Sequence, residues 1–65
     1  MKLTNEMRYE VLMEAGDRSR SLGMYTRSTY FYGEARDYAA TEEQRARIDD
    51  CIKAAVQGAH DAMDR

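Results

Sequence analysis

The residues Thr41-Glu42-Glu43-Gln44, followed by apolar residues at 48, 52, 55, 59 and 62, constrain this chain more than any other feature. A threonine hydroxyl can accept from an early backbone N–H of a helix while a glutamine three positions on reaches back to the threonine's own N–H. Glu42 and Glu43 add negative charge at the positive end of the helix dipole. Ile48, Ile52, Ala55, Ala59 and Ala62 then recur at spacings of 4, 3, 4 and 3, one face of a helix packed against helices. The pattern predicts a helix over 42–63.

The rest of the chain carries the same period. There is no proline, the four glycines are isolated, and Asn-Gly and Asp-Gly turns are missing, so hairpins have no support. A first helix is expected over 5–21, capped by Thr4 or Asn5 and ended by Gly23. Met7, Val11, Ala15 and Leu22, flanked by Leu12 and Ser19, trace its inward face, and Gly16-Asp17 weakens its middle. A middle helix is expected over 27–40, with Ser28 or Thr26 near its cap and Phe31, Ala35, Tyr38 and Ala39 on its inward face, Tyr32 adjoining. The fold class is all-α: a small three-helix bundle in up-down-up order, a helical hairpin plus a long C-terminal helix, occupying 1–65 as one domain.

Composition narrows function mainly by exclusion. Ten Lys+Arg against twelve Asp+Glu give a net charge of −2 and a pI near 5.3, which argues against a broadly polybasic binder. No apolar run approaches the roughly 18–20 residues of a membrane span, and the polar start Met1-Lys2-Leu3-Thr4-Asn5-Glu6 does not resemble a signal peptide. One cysteine allows no intrachain disulfide, so the expected location is cytoplasmic. Cys51, beside Asp49 and Asp50, is expected to be a small buried hydrophobe rather than a reactive thiol. His60 has no second histidine to share a metal, and no Cys-x-x-Cys or glycine-rich phosphate loop is present. The acidic pairs Glu42-Glu43 and Asp49-Asp50 point about 100° apart on a helix and belong to a solvated face. Neither catalysis nor a cofactor is expected.

What remains is an uneven spread of charge and rings. Between Arg18 and Arg36 stand Arg18, Arg20, Arg27 and Arg36 against Glu34 alone, a local +3, and among them sit Tyr25, Tyr30, Phe31 and Tyr32. From Asp37 to Asp64 seven acidic residues face three basic ones, a local −4. Arginine with exposed aromatic rings is the composition of protein-interface hot spots. The large aliphatic stock is thin, and a core so short of branched side chains leaves burial for a partner to supply.

Ser19-Arg20-Ser21-Leu22-Gly23-Met24 with Arg27-Ser28-Thr29-Tyr30 also resembles the turn and recognition-helix start of helix-turn-helix proteins. That resemblance implies Ser19 as the small residue allowing close approach, Gly23 as the turn, and Arg27, Ser28 and Thr29 as groove contacts. It departs from the pattern by one extra residue before Arg27 and by Gly33 where a core aliphatic belongs. The overall acidity opposes nucleic acid. The expected function is therefore a non-enzymatic protein-binding module, an adaptor, regulator or inhibitor that docks Tyr25, Arg27, Tyr30, Tyr32 and Arg36 onto a larger protein. A small DNA-binding regulator is the alternative. Homodimerisation through Ile48, Ile52, Ala55 and Ala59 is a linked expectation, because small alanines permit close helix approach.

Overall fold

In the computed structural model, which describes residues 2–64, the chain forms three helices: α1 (Asn5–Ser21), α2 (Tyr25–Arg36) and α3 (Glu42–Met63). Each boundary has a local cause. The Thr4 hydroxyl accepts from the Met7 N–H and starts α1. Gly23, at φ 77, ends it: its N–H donates to the Arg20 carbonyl and the Met24 N–H to the Ser19 carbonyl, the paired bonds of a Schellman turn. The weak point expected at Gly16-Asp17 does not interrupt α1, which continues to Ser21.

The reciprocal cap of α3 forms as expected. The Gln44 N–H donates to Thr41 Oγ1 at 3.1 Å, while Gln44 Oε1 accepts from the N–H of Thr41 at 3.2 Å and of Ala40 at 2.6 Å. This cap also shortens the middle helix, which spans Tyr25–Arg36 where 27–40 was expected. Collecting the Ala40 and Thr41 N–H groups requires the chain to leave helical geometry, and Thr41 is extended at φ −127, ψ 160. Residues 37–39 close instead in i→i+3 bonds to Glu34, Ala35 and Arg36. At the other end the Schellman turn delivers the chain to Met24 ready to restart, so α2 begins two residues early with no side-chain cap. Thr26 and Ser28 both lie inside the helix rather than before it.

The middle helix is central in space as well. Ser28 meets Gly16 and Tyr38 lies under Arg8 on one side, while Tyr25 meets Gly58 and Arg36 meets Asp49 on the other. In each series one partner's number falls as the other's rises, so α2 is antiparallel to both neighbours. The Tyr9 hydroxyl, donating to the Gln44 carbonyl at 3.5 Å, links α1 to α3. The bundle is correspondingly flat, 44 × 25 × 13 Å, with a radius of gyration of 12.2 Å. A compact chain of this length would measure about 10.7 Å. Its accessible surface of 4865 Å² likewise exceeds the roughly 4,200 Å² normal for its mass.

The core is small: Tyr9, Met13, Tyr32, Ala35, Ile48 and Ala55. On α1 the buried face is rotated away from the one expected. The flanking Ser19 is buried and Leu12 packs half-buried on the core. Tyr9, Met13 and Gly16 turn inward with them, whereas Met7, Val11 and Leu22 are exposed and Ala15 is half-buried. Both sets keep helical spacing, so periodicity alone does not choose between them. What chooses is the partner: α2 presents large rings, and Gly16 and Ser19 let it come close. A Cβ built on Gly16 would lie 2.5 Å from Tyr32 Cε1, and one built on Gly58 would lie 2.5 Å from Tyr25 Cε1. Tyr25 and Tyr32, seven apart on one face of α2, thus each lay a ring over a glycine, one on α3 and one on α1.

Tyr32 is 0% exposed and donates from its hydroxyl to Asp17 Oδ1 at 2.5 Å, while the Ser28 hydroxyl donates to the Gly16 carbonyl at 2.9 Å. Burial first, and then that bond to a carboxylate, pushes the Tyr32 phenol up to about 12. On the expected inward face of α2, Ala35 is buried, but Phe31 and Tyr38 are only half-buried and the fully enclosed rings are Tyr9 and Tyr32. Of the stripe expected on α3, Ile48 and Ala55 are buried, Ile52 and Ala59 half-buried and Ala62 exposed. Cys51 is half-buried against the core.

Candidate interaction surface

The five residues expected to act together divide between the fold and the surface. Tyr32 belongs wholly to the seam between α1 and α2, so it is not an anchor for a partner; its ring fills the space a Gly16 side chain would take. Arg36 is half-exposed but reaches across to Asp49 on α3, tying α2 to α3. Tyr25, Arg27 and Tyr30 remain together at the start of α2, where all three line one open depression with Met24 and Thr26. Tyr30 is 63% exposed, and its ring stands edge-on to Phe31 with centroids 5.8 Å apart. Arg27 is exposed and forms no ion pair with a described residue.

Three of the four arginines between Arg18 and Arg36 have a carboxylate partner, two of them within α1 itself. Arg18 pairs with Glu14 at 3.3 Å and Arg20 with Asp17 at 3.7 Å, in addition to Arg36 with Asp49. Glu14 lies four residues before Arg18 and Asp17 three before Arg20, each one helical turn from its partner. Among the four arginines of that stretch, Arg27 alone has no described carboxylate partner.

A second depression of about 170 Å³ adjoins the first, sharing Tyr25 and Thr26 and crossing to Ala55, Val56, Ala59, His60 and Met63 on α3. Its floor is made of small side chains, its α3 wall of Val56 and of Met63, which is 81% exposed. The sequence pattern places Met24 at the edge of the region but points to neither Val56 nor Met63. The available signal was position: Met63 closes α3, and an up-down-up order returns that end to the start of α2. The exposed Leu22 lies in the turn next to this region.

The likeness to helix-turn-helix proteins ends at the glycine turn. Ser28, which that likeness assigns to groove contact, is fully buried with its hydroxyl on Gly16, and α2 runs alongside α1 for its whole length. Among the described residues no three His, Cys, Asp or Glu side chains gather where they could share a metal ion, and no helix is long and apolar enough to cross a membrane. In class the protein is a small all-α three-helix bundle. No family model matches the chain, and neither does any curated protein or solved structure.

Proposed function

We propose that this chain is a non-enzymatic protein-binding module, acting as a small adaptor, regulator or inhibitor, and that it docks through the surface around Tyr25, Arg27 and Tyr30. The observation that carries this reading is the pairing of an exposed Tyr30 with an Arg27 that has no described acidic partner, beside an exposed Met24. Tyrosine and arginine dominate interface energetics because each offers large contact area together with directed hydrogen bonding. Methionine adapts to an irregular partner surface. A cluster of this kind gains by desolvation against another protein and nothing inside the bundle occupies it.

The test is affinity capture with the immobilised chain from lysate of its source cells, with Arg27→Ala/Tyr30→Ala as the matched bait. A specific partner retained by the parent and lost by the double variant, at unchanged helical circular dichroism, is the expected result. Equal retention by both baits would place the docking face elsewhere.

A further inference from the structure

We infer that a second copy of this chain covers the outer face of α1, the two bundles meeting across a two-fold axis at Met7, Val11 and the depressions beside them. The patch shares no residue with the surface around Tyr25, Arg27 and Tyr30, so the pair presents that surface twice.

Spacing gives the first argument. Met7, Val11 and Ala15 recur at four-residue intervals on α1, the period of a face that is covered. Within the bundle it stays open: Met7 is 42% and Val11 56% exposed, and Leu3, at 48%, extends the patch ahead of the helix. Leu3 and Val11 line a depression between α1 and α2 with the half-buried Leu12 and Tyr38. Val11 also lines the next depression along α1, with Ala15, so the apolar patch is continuous. On α3, by contrast, Ile48 and Ala55 are taken up by the core, which closes that stripe to a second copy.

Charge says what covers the patch. The first depression carries Arg8 and Glu34, the second Glu14 and Arg18. Two cations and two anions around one apolar patch suit an occupant with the same balance. A uniformly acidic or uniformly basic partner brings its charge against two like charges. A second copy brings the same four groups, and a two-fold axis makes every contact twice.

Area sets the strength. The chain exposes roughly 600 Å² more than is normal for its mass, in keeping with a bundle only 13 Å thick. Burying that excess on both copies removes roughly 1,200 Å², the lower end of the range for specific interfaces. The dimer is therefore weak, with a Kd on the order of 10–100 µM, and the dilute chain is a folded monomer.

Sedimentation equilibrium of the full chain from about 5 µM to about 1 mM tests this, with methyl spectra of labelled methionines over the same range. The parent is expected to pass from monomer to dimer, with the Met7 methyl shifting along the same isotherm while Met24 and Met63 stay unmoved. Val11→Lys is expected to weaken dimerisation at least about tenfold, at unchanged helicity in dilute solution. Val56→Lys, on the exposed side of α3, is expected to leave it unchanged. A chain that stays monomeric throughout would overturn the inference and leave the face to an unlike partner or to solvent. So would a dimer that shifts Met24 or Met63 in place of Met7, or one that Val11→Lys leaves intact. The docking residues are tested separately, by the Arg27→Ala/Tyr30→Ala bait.

Discussion

Replacing Gly16 by alanine tests the packing that organises this bundle, because two effects of opposite sign meet there. In an exposed helix interior the change stabilises by about 1 kcal/mol, since alanine loses less backbone entropy. At Gly16 the new methyl would sit 2.5 Å from Tyr32 Cε1 and 2.7 Å from Cδ1. Tyr32 has nowhere to go: it is fully buried, and its hydroxyl is held by Asp17. Overpacking costs about 1–3 kcal/mol, and loss of a hydrogen bond to a charged acceptor adds about 1.5–3 kcal/mol. The net is a destabilisation of about 1.5–5 kcal/mol, comparable to all that a domain this small possesses. Gly33 is the internal control, since nothing lies within 4 Å of a Cβ placed there. Gly33→Ala should gain about 0.5–1 kcal/mol. At Gly58 the obstructing ring is the half-buried Tyr25, which can swing towards the open groove, so Gly58→Ala should stay near neutral. Thermal circular dichroism reads all three at about 4–8 °C per kcal/mol. A Gly16→Ala variant that melts at or above the parent would refute the ring-over-glycine account.

Stability should also fall at high pH through Tyr32. Its folded pKa, pushed up to about 12, lies above the ordinary value near 10, so between these limits the unfolded chain has released a proton that the fold retains. Stability is then fully present below pH 10 and declines by about 1 kcal/mol per pH unit towards pH 12. Urea unfolding at pH 8 and pH 11 should show this loss in the parent and a smaller one in Tyr32→Phe; equal losses would remove Tyr32 as the cause. On α1, Val11→Lys should change stability by no more than about 0.5 kcal/mol, because Val11 is 56% exposed. Met13→Ala, two positions away on the buried face, should cost about 2–5 kcal/mol by the same measurement. Similar costs at the two positions would show that α1 faces the other way.

The candidate surface was only partly legible beforehand. Arginine and tyrosine between residues 24 and 36 marked the region, but a list of side chains does not say which ones the fold consumes. Tyr32 and Tyr30 are chemically identical and two apart. On α2 that separation turns one into the seam with α1 and the other into solvent. The basicity counted from Arg18 onwards likewise shrank to Arg27, because the carboxylates that answer Arg18, Arg20 and Arg36 lie outside that stretch.

Local signals alone determined the helical class, the bounds of α1 and α3, and both of their starting caps. Thr4, Thr41 with Gln44, and Gly23 act through backbone groups within a few residues, where no distant partner is needed. Tertiary contact decided the rest. α1 offers helical spacing on more than one face, and the packing of α2's rings at Gly16 buries Tyr9 and Met13 and leaves Met7 and Val11 exposed. A helical period specifies that a face exists; which face is hidden depends on the shape brought against it, and that shape comes from elsewhere in the chain.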